Sequence, residues 1–157
     1  MELPIEPARP EPDAFPESFL DDLSFVVNKV GERINRRIER VTLPHGLAVR
    51  QYGLLLLLHA EGPQAQITLS VRVGLDRTSV MRTVDLLETR GLVRRDPDPH
   101  DRRKHSVALT DAGAELLTNT LPEVRQAELE VTAALSEPEQ AQLLALLRRL
   151  LGVGKTP

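Results

Sequence analysis

No cysteine occurs in the 157 residues, which excludes disulfides, thiolate metal ligands, thiol nucleophiles and oxidation switches together. Tryptophan is also missing, and Phe15, Phe19, Phe25 and Tyr52 are the whole aromatic complement, so a pocket walled by rings finds little material. The longest apolar run, Gly53 to Leu58, falls far short of the roughly 20 residues of a membrane span. The N-terminus lacks the basic and apolar regions of a secretory signal, so a cytoplasmic, non-membrane protein is expected. There is no glycine-rich phosphate loop, no Ser, His and acid arrangement and no metal-ligand spacing, so no enzyme, cofactor or metal is expected. Glu137 and Glu139 look like paired carboxylates, but their place at a helix start accounts for them through the helix dipole.

What is present suits one globular domain, with 41% apolar and 27% charged residues and a net charge of -3. Five of the twelve prolines fall in the first sixteen residues among Glu2, Glu6, Glu11 and Asp13, which predicts a disordered acidic tail over residues 1–14. From Phe15, apolar residues recur at Phe19, Leu23, Val26, Val30, Ile34, Ile38 and Val41, the three-and-four spacing of one long amphipathic helix. Pro44 and Gly46 end it. A second helix, about Val49 to Ala60, carries Leu54 to Leu58 and is expected in the core, while Tyr52 and His59, seven residues apart on it, are read as core residues or as pocket residues.

Thr68 is a plausible cap for a short helix through Val73, and Asp76 caps another running to about Arg90 across the tight turn at Gly74. Leu92 to Arg95 and His105 to Thr110 then form a hairpin whose tip, residues 96–104, is polar and proline-rich. Thr110 caps a helix with a bend expected at Pro122, and Ser136 with Glu139 opens a last helix with a wide leucine face. The predicted fold is mainly α, a winged helix-turn-helix lobe at 49–110 held between N- and C-terminal dimerisation helices at 15–48 and 111–151.

Duplex DNA demands a helix that packs on one face and offers donors on the other, with cations aimed at phosphates. In the helix after Asp76, Val80, Val84 and Leu87 form the packing side, while Arg77, Thr78, Ser79, Arg82 and Thr83 gather toward its start on the other. Arg82 has the bidentate fork that suits guanine. Residues 72–106 hold nine cations and six anions, a local +3 against -6 elsewhere, so the acidic total does not exclude DNA. At the hairpin tip Arg102, Arg103 and Lys104 crowd together in a way that suits an anionic groove, with Asp101 placed to orient a neighbouring arginine.

The chain resembles the MarR family (multiple antibiotic resistance regulators) over about residues 16–151. The likeness rests on Gly74-Leu75-Asp76-Arg77-Thr78-Ser79-Val80, on Leu86-Leu87-Glu88-Thr89-Arg90-Gly91-Leu92-Val93, and on Asp101-Arg102-Arg103 followed by Val107-Ala108-Leu109-Thr110. The last stretch is similar to the family's D-x-R wing signature and V-x-L-T strand. The resemblance implies a homodimer with interlocked terminal helices, reading a pseudo-palindromic double-stranded operator. By that likeness Arg77, Thr78, Ser79 and Arg82 belong to the major-groove helix, Arg103 is the wing arginine and Asp101 its positioning carboxylate. It also implies response to a small-molecule effector, although the shortage of aromatics keeps a ligand-independent regulator open. The leading reading is a transcriptional repressor. The alternative from another class is a winged-helix protein-interaction module.

Overall fold

The computed structural model describes residues 15–97 and 105–152. The expected acidic tail at 1–14 and the hairpin tip with Asp101, Arg102, Arg103 and Lys104 lie outside the described residues. The described residues divide into two compact units, with the boundary between Arg33 and Ile34.

The single long helix expected from Phe15 is two helices, α1 (Glu17–Leu20) and α2 (Leu23–Thr42). The division follows from Asp22, whose carboxylate accepts hydrogen bonds from the Phe25 N–H at 2.8 Å and the Ser24 hydroxyl at 2.6 Å. A short acidic side chain that captures backbone donors ahead of it starts a helix rather than continuing one. In this first unit the Phe25 ring meets Phe15 and Phe19 edge-on, with centroids 5.2 and 5.1 Å away.

In the second unit α2 ends in a 3-10 turn, Leu43–His45, and α3 (Val49–Glu61) follows. Leu54, Leu55 and Leu58 are buried as expected and Tyr52 joins them. His59 does not: it is exposed, because only part of the α3 circumference is enclosed and its position faces outward, as does Leu56. Next come a two-residue strand β1 (Gln64–Ala65) and α4 (Gln66–Val73), so the helix starts two residues ahead of the cap expected at Thr68. Pairing of β1 with a later strand fixes residues 64–65 as extended and lets the helix begin immediately afterwards.

Gly74, at φ +64°, makes the turn between α4 and α5 (Arg77–Thr89), a left-handed conformation that glycine adopts without steric cost. Strands β2 (Val93–Pro97) and β3 (His105–Leu109) pair antiparallel from Val93 opposite Leu109 to Pro97 opposite His105. β1 adds to the free edge of β3, giving the order β1-β3-β2. This third strand carries no sequence signal, being only two residues of ordinary loop composition. α6 (Asp111–Val131) continues through Pro122 without interruption, and α7 (Glu137–Leu150) completes the chain.

Val80, Val84 and Leu87 of α5 meet Leu54, Leu55, Leu58, Leu69, Val107 and Leu117 in one apolar cluster, all but Leu58 without solvent exposure. Burial of that size supplies most of the driving force for the lobe. α7 contributes no buried residue, and Leu150 and Leu151 are each 76% exposed.

Candidate nucleic-acid interface

The site is built from the start of α5. Asp76 closes the helix N-terminus by accepting from the Ser79 N–H at 2.9 Å, and its other oxygen accepts from the Ser79 hydroxyl. Those two bonds, chiefly the one from the hydroxyl, hold the Asp76 carboxyl below its ordinary range. With Val80, Val84 and Leu87 turned into the core, the helix period sends Arg77, Thr78 and Arg82 to solvent. Ser79 and Thr83 are half-buried, and the Thr83 hydroxyl donates to the Ser79 carbonyl at 2.8 Å. Thr83 therefore keeps acceptor capacity but has committed its proton to the helix.

The structure sorts the arginines that the sequence lumps together. Arg72 pairs with Glu61 at 3.2 Å. Arg94 bonds Asp96 at 2.9 Å and the Leu109 carbonyl at 3.1 Å. Arg90 donates to the carbonyls of His45 and Gly46. Arg95 forks between Asp85 and Glu88 of α5, and its own N–H donates to Glu88 at 3.1 Å. With its amide oxygen turned inward, Gln66 at the start of α4 also accepts from Arg95, at 3.0 and 3.1 Å. Burial alone would lower the Arg95 pKa, but the Asp85 hydrogen bond and the charges of Glu88 and Asp85 outweigh it and raise it, so the guanidinium is held charged. Arg77 and Arg82, by contrast, have no hydrogen-bond or ion-pair partner among the described residues.

Arg95 thus ties β2 of the hairpin to α5 and α4, a function that sequence reasoning missed. Glu88 and Arg95 sit seven residues apart on different elements, and only the turn at Gly91 brings them together. The signal available was the acid and base flanking that turn. Arg102, Arg103, Lys104 and Asp101 lie outside the described residues, so the strands fix only where the tip departs and returns, at Pro97 and His105.

A sequence model of the MarR family matches residues 45–104. Over 139 residues the chain is 30% identical to the HTH-type transcriptional repressor NicR of Pseudomonas putida, with 88% of each chain covered. The chain belongs to the MarR family.

Solved structures are similar to this member of the family. A mutant of E. coli MarR complexed with operator DNA has a TM-score of 0.76 at 25% identity, covering 84% of this chain and 95% of that one. CouR from Rhodococcus jostii RHA1, bound to p-coumaroyl-CoA, has a TM-score of 0.76 at 27% identity, covering 90% and 100%. The winged helix-turn-helix expected from the sequence is the observed fold, and this MarR-family chain is a DNA-binding transcriptional regulator. Its relatives are regulators rather than enzymes. Among the described residues no helix is long and apolar enough to cross a membrane, and no cluster of three or more His, Asp or Glu is placed to hold a metal.

Proposed function

We propose that the protein is a cytoplasmic homodimeric repressor that binds a pseudo-palindromic operator and releases it when a small-molecule effector binds. α5 enters the major groove, where Arg77 and Arg82 reach base edges or phosphates and Thr78, Ser79 and Thr83 add polar contacts. Arg102, Arg103 and Lys104 of the wing lie against the adjacent groove, with Asp101 positioning Arg103. The observation that carries this reading is a pair of solvent-facing guanidiniums on α5 with no partner among the described residues, in a segment whose other described arginines are all held by protein groups.

Residues 49–110 form the DNA-binding lobe in this reading, and 15–48 with 111–151 form the dimer base. The support for a dimer is the α7 face of Leu143, Leu144, Leu147 and Leu150, all of which stay partly exposed in the chain, Leu150 most of all. The effector site is a cleft of about 420 Å³ lined by Arg37, Arg40, Val41, Glu123, Ala127 and Glu130, among others, with the Glu123 carboxylate already against the His45 ring. Arg37 is paired with Glu130 at 3.2 Å, whereas Arg40 has no partner among the described residues. An unpaired guanidinium beside apolar walls suits a small organic acid.

Anisotropy titration with the DNA upstream of the protein's own gene and with a scrambled duplex, across a salt series, tests the reading. Tight, sequence-dependent binding is expected, with Arg82→Ala costing about 1–3 kcal/mol per half-site and relaxing preference at one position in each, and Arg103→Ala weakening all duplexes and flattening the salt slope by about two, one per protomer. If both variants bind as the parent does, the residue assignment is wrong. Equal, weak binding of the parent to both duplexes favours the protein-interaction alternative.

A further inference from the structure

We infer that Arg90 is a positioning residue for DNA reading: it straps the end of α5 to the turn between α2 and α3 and so fixes the spacing between half-sites that the dimer accepts. This rests on the reading of α5 as the helix that enters the major groove.

Arg90 caps the C-terminal end of α5, and its side chain leaves the helix to reach a turn some forty-five residues back. One guanidinium nitrogen donates to the His45 carbonyl at 3.0 Å, and the other donates to the Gly46 carbonyl. The fork of an arginine matches two neighbouring oxygens in a way that an ammonium cannot. Those carbonyls are available because the turn closes on its other groups. The Gly46 N–H donates to the Leu43 carbonyl at 2.7 Å and the Leu47 N–H to the Thr42 carbonyl at 3.0 Å, leaving the carbonyls of residues 45 and 46 outside the helical pattern. Gly46 has φ +71°, which favours glycine at the turn, and a Cβ there would stand 3.0 Å from the Arg90 guanidinium, so the strap lies close against the turn backbone.

The turn is a firm mount. Thr42 and Leu47 on either side of it have no solvent exposure, and the His45 ring meets the Glu123 carboxylate of α6 at 3.2 Å. Apolar packing by Val80, Val84 and Leu87 holds α5 against the lobe but is non-directional, whereas hydrogen bonds fix an angle. Leverage makes that angle matter. The 13 residues of α5 span about 20 Å, so about 10° of slack at its C-terminal end moves Arg77 by about 3.5 Å, close to one base-pair step. In a symmetric dimer the same slack occurs twice, which is enough to blur the choice of half-site separation.

The experiment compares the full-length protein with Arg90→Lys and Arg90→Met on duplexes whose half-sites are at the preferred separation or one base pair closer or farther. Amide hydrogen exchange without DNA is run in parallel, and thermal midpoints check folding. The parent should prefer its own spacing about tenfold, and both variants should fall to within about threefold while keeping the parent's base preferences inside each half-site. The Gly46 and Leu47 amides should exchange faster in both variants, with those of α6 unchanged. Retained spacing preference with unaltered exchange overturns the proposal. So does a uniform loss of affinity with a salt slope reduced by about two, one per protomer, which makes Arg90 a phosphate contact. If the parent selects no duplex at all, the DNA reading fails by itself, and unchanged exchange at Gly46 and Leu47 then overturns the strap separately.

Discussion

Substituting Ala for Gly113 places a methyl group in the joint between wing and α6. Gly113 is a buried residue in the first turn of α6, and its N–H donates to the Thr110 hydroxyl at 3.1 Å. A Cβ there would lie 2.1 Å from the Leu92 carbonyl oxygen and 2.9 Å from a methyl of Leu109. The Leu92 oxygen cannot swing away freely, because it accepts the Thr110 N–H at 3.1 Å. The joint must therefore open by about an ångström, and overpacking of a rigid neighbour costs roughly 1–3 kcal/mol or more. Helix propensity works the other way, since Ala is favoured over Gly by about 1 kcal/mol inside a helix. With a backbone atom as the obstacle the upper part of the overpacking range applies, giving a net loss of about 2 kcal/mol and a thermal midpoint lower by about 4–8 °C. Gly53→Ala in α3 is the matched control, because a Cβ there meets nothing within 4 Å, and it should raise stability by about 0.5–1 kcal/mol. Urea unfolding of the three proteins reads both signs. A Gly113→Ala protein as stable as the parent would refute the close approach of α6 to Leu92.

Arg95→Met should cost about 1 kcal/mol or less in global unfolding, since Asp85 and Glu88 remain partly solvated, yet it should speed amide exchange in β2 and β3 selectively. Uniform exchange across the lobe would contradict a role in holding the hairpin. Asp76 and Glu139 both have folded pKa values lowered by hydrogen bonds from Ser79 and Ser136, below ordinary values of 3.8 and 4.5. Their stabilisation is therefore complete above those ordinary values and is lost as pH falls through the lower folded ones. Thermal midpoints measured on acidification should decline below about pH 4.5, and Asp76→Asn should reduce that decline; an unchanged acid limb would sink this account. Leu147→Asp with Leu150→Asp on α7 should shift the protein from dimer toward the 17.5 kDa monomer in sedimentation equilibrium, by about tenfold or more in dissociation constant. A dimer unaffected by both would place its interface elsewhere.

Much of the site is legible in the amino-acid sequence because its signals are local. The cap at Asp76, the turn at Gly74 and the three-and-four spacing of Val80, Val84 and Leu87 fix which way α5 faces, and so expose Arg77, Thr78 and Arg82. The break at Asp22 is equally local, but a long apolar stripe hides it, since the three-and-four spacing from Phe19 to Leu23 to Val26 runs straight across it. The exposure of His59 is illegible for a related reason: a leucine-rich helix gives no internal clue to which of its faces the neighbours leave open.

The order of elements, the winged helix-turn-helix and the basic character of residues 72–106 are all written along the chain, because caps, turns and periodicity act within a few residues of one another. What each arginine is for depends on the folded arrangement. Arg90 reaches Gly46 across 44 positions and Arg94 reaches Leu109 across 15, while Arg77 and Arg82 of identical chemistry reach nothing in the described chain. Charge is a property of the residue, but neutralisation depends on distance in space, and two guanidiniums alike in sequence become a structural strap and a free donor according to which oxygen the fold carries to them.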